Sequence, residues 1–414
     1  MKKVIVTTLF FACIASFAAP AMTLKDAIAL ALKNQQNVLR GEQSLAAAKY
    51  RLTQSKSDYF PQLNVDYTQG IFNSTQSKAS GNAALNASMN FYDGGKRELN
   101  VKSSELGIDS STSNLEQFKQ AVVNNVTSAY FTLLKAKKQN DVVKSQLKLL
   151  NGQLDLIKAR IEVGDAAAVD SLPVEASAAN ARFDLLTSNN NIRTSAMLLQ
   201  NAIGIAITPD FDIDDFNLKQ ITVDSLENYI TVAKANRPEI LISKAGVESA
   251  KVNVDIAKLQ TRIRPQVNGT WSEPLIGSGK SNYSVTAGVV YSIFDAGANK
   301  AALNVANTNL ESAKIQQNQA NKDIESDVQI AYINVLNSVE KIAASAQSLK
   351  SAQASYDAQE ERYKLGLVTP LDLLNAQNTL VSAQYNAVQA NYDYYINISK
   401  LEYATGKQGV LYGN

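Results

Sequence analysis

The chain repeats itself at a fixed distance. Ala129-Tyr130 returns as Ala331-Tyr332, Asp93 as Asp295, Gly164 as Gly366, Asp170 as Asp372 and Gly204 as Gly406, each 202 positions later. Ala48-Lys49 returns as Ala250-Lys251 at the same offset. Pro61 returns as Pro265, 204 positions on, so the second copy carries two extra residues near that point. A constant offset over most of each half means that one structural unit has been duplicated. Residues 22–204 then form a first repeat, 205–226 a linker, 227–406 a second repeat and 407–414 a tail.

Both repeats read in the same order. The first helix runs from Thr23 to about Lys56, with Leu24, Ala27, Ile28, Ala31 and Leu32 on one face, and Pro61 ends it. A β-hairpin is expected over 62–92. Leu63, Val65 and Tyr67 alternate there with Asn64, Asp66 and Thr68, a loop rich in Gly, Ser and Asn spans 70–82, and Leu85, Ala87, Met89 and Phe91 alternate with Asn86, Ser88 and Asn90. The second hairpin is expected over 266–294. Val267, Gly269 and Trp271 are the apolar positions of its first strand; Tyr283, Val285, Ala287, Val289, Tyr291 and Ile293 are those of its second. Strands of about ten residues, apolar on one face and small-polar on the other, fit lipid outside and water inside. A soluble, half-buried sheet gives the same alternation, and periodicity leaves both readings open.

Long helices are expected over 94–162 and 297–364. Residues from Val122 to Ile161 carry a seam spaced alternately four and three (Val122, Val126, Ala129, Leu133, Ala136 and onward), the pattern of left-handed coiled-coil packing. The register survives in the second repeat from Ile324 to Tyr363 with smaller and more polar side chains. A helix of about 65 residues spans roughly 100 Å, far beyond an ordinary globular helix. Both stop at glycine, in Val163-Gly164-Asp165 and Leu365-Gly366-Leu367. Return helices are expected over 171–202 and 371–404.

Composition removes whole classes of function. Lys+Arg is 40 and Asp+Glu 38, so no basic excess exists to neutralise phosphates, which argues against nucleic acid as a partner. The chain has no His and one Cys, Cys13, which leaves no imidazole base, Cys/His pair or histidine metal site. No Gly-rich phosphate loop appears, and Asp214-Asp215 sits in the polar linker as a solvated pair. No enzyme, cofactor or metal is expected. Lys2 and Lys3, the apolar run Val4 to Phe17, and Ala19-Pro20-Ala21 read as a cleaved signal peptide over 1–21. The rival reading makes Cys13 a lipidated start, with Phe10-Phe11-Ala12 a poor signal for it. No later run of about 18 apolar residues follows, so a membrane could be crossed only by a closed barrel. Four strands cannot close one, and three copies supply twelve.

The doubled order of helix, hairpin, long helix, glycine turn and return helix, the strand ends FYDGG and IFDAG, and the turns VGDAAAVD and LGLVTPLD resemble the TolC-like outer-membrane factors over essentially the whole mature chain. The resemblance implies a mostly α fold with a membrane β-barrel: two tandem repeats, a long α-helical coiled-coil barrel with four strands per chain, and a trimeric 12-stranded β-barrel. It implies a homotrimer in the outer membrane of a Gram-negative bacterium, in contact with outer-membrane lipid and with a large periplasmic extension. Its partners would be a periplasmic adaptor (membrane fusion protein) and an inner-membrane pump of RND, MFS or ABC type. The channel would passively conduct the substrates of a tripartite efflux pump or type I secretion system. The alternative is a trimeric coiled-coil surface protein of adhesin type. That reading explains leader, heptads and trimer, but not paired hairpins 202 residues apart.

The same resemblance places a periplasmic gate at Asp372, Asp170, Tyr363 and Asn375. Asp372 matches an acidic ring, where like charges would raise each carboxyl's pKa. Asp170 matches a partner in the gate links, and Tyr363 a gate tyrosine. Asn375 stands where the family has a second acid, Val368 where it has an arginine, and Val169 where it has a hydroxyl, so fewer charged links are expected. Thr369-Pro370 ahead of Asp372 also reads as a helix cap with an acid in the first turn, and the two roles are compatible. Val163, Gly164, Leu365, Gly366 and Leu367 would form the adaptor-contact tip by the resemblance, or plain helix stops without it.

Overall fold

The computed structural model describes residues 22–69, 81–208, 211–216, 221–277, 280–407, 409 and 411; the expected leader over 1–21 and most of the first hairpin loop lie outside the described residues. In chain order the elements are α1 (Leu24–Asn34), α2 (Gln36–Ser57), β1 (Gln62–Gln69), β2 (Gly81–Tyr92), α3 (Lys96–Glu162), a 3-10 helix (Ala168–Ser171), α4 (Leu172–Ile203), α5 (Leu226–Asn236), α6 (Pro238–Gln260), β3 (Arg264–Ile276), β4 (Asn282–Val290), α7 (Ala298–Lys364) and α8 (Pro370–Thr405).

Each repeat opens with two helices where the apolar pattern reads one. Gln35 and Arg237 break them with extended backbone (ψ 125° and 124°). The side chains at these breaks explain them. Gln35 Nε2 donates to the carbonyls of Asn201 (3.0 Å) and Ala202 (2.9 Å). At the equivalent place Arg237 Nη1 donates to those of Tyr403 (3.2 Å) and Ala404 (3.4 Å). The last carbonyls of a helix have no partner inside it, so each repeat closes its return helix with a residue from its own opening break. Gly204 and Gly406 follow with left-handed φ of 78° and 68°. A β-carbon on either would press on the backbone of Asn34 (3.2 Å) or Asn236 (2.9 Å).

The strands form one antiparallel sheet in the order β1-β2-β3-β4. Its register lines up Leu63, Ala87, Trp271 and Tyr283 in one row and Gln62, Ser88, Thr270 and Ser284 in the next. One face is therefore apolar and the other Asn/Ser/Thr-rich. Leu63, Val65, Tyr67, Tyr283 and Val285 are all exposed; among the described residues no other element covers the apolar face. Arg97, buried at the start of α3, holds the inner end of β2 by donating to the carbonyls of Asn90 (2.5 Å) and Phe91 (2.8 Å). Its counterpart in the second repeat is Asn299. There β4 ends at Val290, short of the expected Ile293, because its partner β3 begins at Arg264, opposite Val290, and among the described residues nothing pairs with the chain beyond it.

The long helices begin after Asp93 and Asp295, whose carboxylates accept from the backbone N–H groups of Lys96 (3.0 Å) and Asn299 (3.0 Å). They start at Lys96 and Ala298, slightly later than the sequence pattern suggests, since the two glycine turns are spent on these caps. The seam residues Val126, Leu133, Val143, Leu150 and Ile157 of α3, and Val328, Val335, Ala352, Tyr356 and Tyr363 of α7, are buried. α3 lies between α4 and α8, and α8 lies between α3 and α7, leaving α4 and α7 at the two edges of the layer. Where the linker crosses, Phe131 packs on Phe216 and Tyr395 with ring centroids 5.0 and 5.2 Å away. The Tyr130 hydroxyl bridges the carbonyls of Met22 (3.1 Å) and Asp214 (2.7 Å) there. Among the described residues no helix is long and apolar enough to cross a membrane.

Candidate functional site

The expected gate and tip residues collect at one end of the helix layer, where α3 and α7 stop. The Gly164 N–H donates to the Ile161 carbonyl (3.1 Å) and the Asp165 N–H to that of Arg160 (2.8 Å); Gly366 and Leu367 do the same to Tyr363 (3.0 Å) and Arg362 (2.9 Å). These are paired helix-end closures with a left-handed residue at the turn, φ 84° at Gly164 and 72° at Gly366. Nothing lies within reach of a β-carbon at either glycine, so the backbone angle alone demands glycine. The closures leave Val163, Leu365 and Leu367 exposed at 75%, 73% and 65%, an apolar rim on the tip.

Asp372 performs the capping role. Its Oδ2 accepts from the Thr369 N–H (3.0 Å) and hydroxyl (2.7 Å), while the Asp372 N–H donates back to the Thr369 hydroxyl (3.2 Å). The hydroxyl, then the backbone N–H, of Thr369 hold its carboxyl below the usual Asp range, with a smaller push from Arg362. Within one chain this is opposite to the rise expected of an acidic ring. Asp170 caps the 3-10 helix by accepting from the Ala167 N–H (3.0 Å). Asn375 is exposed, and its carbonyl accepts from the Thr379 hydroxyl (2.9 Å). Among the described residues no hydrogen bond joins Asp372 or Asn375 to Asp170 or Tyr363.

Tyr363 is 4% exposed. Burial pushes its hydroxyl pKa up; the Arg160 charge opposes that and the Asp170 charge adds to it. Arg160 makes a contact at this end that the sequence pattern did not single out. Its Nη2 donates to the carbonyls of Tyr363 (3.3 Å) and Lys364 (3.1 Å), and its guanidinium lies over the Tyr363 ring, 4.9 Å from the centroid. The end of α3 is thereby tied to the end of α7, across repeats, by charge-assisted bonds and a cation–π contact. The one available signal was its place four residues before a glycine stop, shared with Arg362 at the 202-residue offset.

Against known families, the chain matches the model described as outer membrane efflux protein twice, over residues 27–205 and 229–407. Outer membrane efflux protein BepC of Brucella suis biovar 1 (strain 1330) is 24% identical over 397 residues, covering 94% of this chain and 86% of that protein. Outer membrane protein TolC of Escherichia coli (strain K12) is 25% identical over 386 residues, covering 87% and 77%. The crystal structure of the outer membrane protein VceC from Vibrio cholerae aligns with a TM-score of 0.79 at 18% identity, over 93% of this chain and 96% of that one, a likeness of fold. Both matched segments fall on the two structural repeats, and the chain belongs to the outer membrane efflux protein family.

Proposed function

We propose that this outer-membrane efflux protein works as a passive export duct made of three copies. The observation that carries the reading is the four-stranded sheet whose β1 and β4 edges are unpaired among the described residues and whose apolar face is exposed. Lipid tolerates neither open edges nor unpaired backbone groups, so neighbouring copies complete the wall. Three copies give twelve strands around a lumen lined by Asn, Ser and Thr. The helices prolong the same wall by about 100 Å.

The helices support the same assembly. On α7, Ile333 and Leu336 are exposed where the equivalent Phe131 and Leu134 of α3 are buried. A neighbour's α4 and α2 would cover α7 as α8 and α6 cover α3. The apolar rim of Val163, Gly164, Leu365, Gly366 and Leu367 is the surface for a periplasmic adaptor, behind which an inner-membrane pump of RND, MFS or ABC type supplies the energy. Three Asp372 carboxylates around the axis, with Asp170, Tyr363 and Asn375 nearby, form the gate. Arg160 supplies a charged link that Val368 cannot.

The protein purified in detergent should size as a trimer and conduct ions in planar bilayers, with Asp372→Ala lowering cation preference. A monomer that stays in solution without detergent contradicts the duct. Unchanged selectivity in Asp372→Ala removes the gate role and leaves the cap.

A further inference from the structure

We propose that Arg362 is the joint between neighbouring copies at the tip, closing each copy's α7 onto the next copy's α3 as Arg160 closes α3 onto α7 within a copy. The inference rests on the trimeric reading and goes beyond it by naming the link. Arg160 and Arg362 hold the same position of the repeat, each four residues before its glycine stop. Arg160 is engaged with the carbonyls of Tyr363 and Lys364. Arg362 is exposed, and among the described residues no hydrogen bond or ion pair holds its side chain. Its charge makes a small contribution to holding the Asp372 carboxyl below the usual Asp range.

Its missing partner follows from the repeat. The carbonyls that Arg160 reaches belong to Tyr363 and Lys364; their equivalents 202 residues earlier are Ile161 and Glu162. Within one copy no hydrogen bond joins Arg362 to those carbonyls among the described residues, because Arg160 already fills the contact between the ends of α3 and α7, while α7 stands at the free edge of the layer. A neighbouring copy placed against that edge brings its own Ile161 and Glu162 to the place that Tyr363 and Lys364 occupy for Arg160. The acceptors are suited. The Ile161 carbonyl takes the Gly164 N–H (3.1 Å) as the Tyr363 carbonyl takes that of Gly366 (3.0 Å), and each keeps a second lone pair.

The two joints are unequal. Arg160 lies over an aromatic ring; Arg362 would meet Ile161, which offers none. Around the tip, strong joints within copies alternate with weak joints between them. The tube opens along the weak ones, between copies and beside Asp372.

The test uses the full-length protein, with detergent sizing and planar-bilayer conductance read on the same preparations. Arg362→Ala, an exposed position, should keep the trimer and raise the fraction of time the pore conducts about ten-fold, the scale of a lost charged hydrogen bond. Ile161→Tyr adds the missing ring and should lower that fraction about two- to five-fold. The lowering should vanish in the double variant Ile161→Tyr with Arg362→Ala. An intact trimer whose conductance ignores Arg362→Ala overturns the inference and leaves the trimer standing. So does an Ile161→Tyr effect that survives loss of Arg362. An unmodified protein that neither trimerises nor conducts overturns both.

Discussion

α3 and α7 are copies of one helix, each 67 residues long, yet they live in different surroundings. Phe131 of α3 is wholly buried, and its equivalent on α7, Ile333, is 54% exposed; Leu134 and Leu336 stand at 2% and 41%. α3 has neighbours on both sides, and α7 stands at an edge. The same contrast runs through the sheet, where β2 is paired on both sides and β4 on one. A duplicated unit that is complete only on one side contains, inside a single chain, the pattern for its contact with the next copy.

The sharpest way to break this comparison is to charge the edge. Ile333→Asp with Leu336→Asp should abolish the trimer in detergent sizing, while far-UV circular dichroism still reports a folded helical chain. Next in size is the buried side of the pair. Phe131→Ala should cost about 3–5 kcal/mol in denaturant unfolding through the cavity it leaves, whereas Ile333→Ala, measured on dissociated protomers, should stay within about 0.5 kcal/mol. A comparable cost at the two positions would mean that α7 is covered within its own chain.

The paired helix closures make a smaller contrast. Gln35→Ala should cost about 1 kcal/mol, the net value of neutral hydrogen bonds. Arg237→Ala should cost about 2 kcal/mol, because Arg237 also holds Glu239 (2.8 Å) and sits 5.2 Å over the Tyr403 ring. Unfolding of the two variants side by side checks the order.

The smallest expected effect is a titration. Thr369 depresses the Asp372 pKa in one chain, so the stability from this cap is present above the ordinary Asp range and is lost as pH falls through the depressed value. A ring of three pushes the same pKa upward. The titration midpoint of Asp372 should therefore be higher in trimers than in dissociated protomers, as read by carboxyl-carbon NMR. Equal midpoints would place the three carboxylates too far apart to form a gate.

Much of this architecture is legible in the amino-acid sequence. The 202-residue offset, the four-and-three seam and the glycine stops locate the long helices, since each rests on local chemistry: backbone φ, heptad packing and capping acids. The helix break at Gln35 was not legible, because it exists to cap a helix 166 residues away. The early end of β4 escaped for a related reason. Tyr291 and Ile293 keep the alternation of a strand, but a strand needs a partner, and among the described residues β3 begins only opposite Val290 and offers them none. Arg97, Arg160 and Arg237 escaped because a lone basic residue carries no pattern; what each does depends on which carbonyls the fold brings to it. At the expected gate, the pairing of Thr369 with Asp372 could be read from their spacing, and the contact of Arg160 with Tyr363 could not.

The most direct test of the central claim is electron cryo-microscopy of the protein in lipid nanodiscs. The expected image is one cylinder of three copies, with each β4 paired to the next copy's β1 inside the disc and each α7 covered by the next copy's α4 outside it. A single copy per particle, or a sheet whose edges stay unpaired in water, would contradict it.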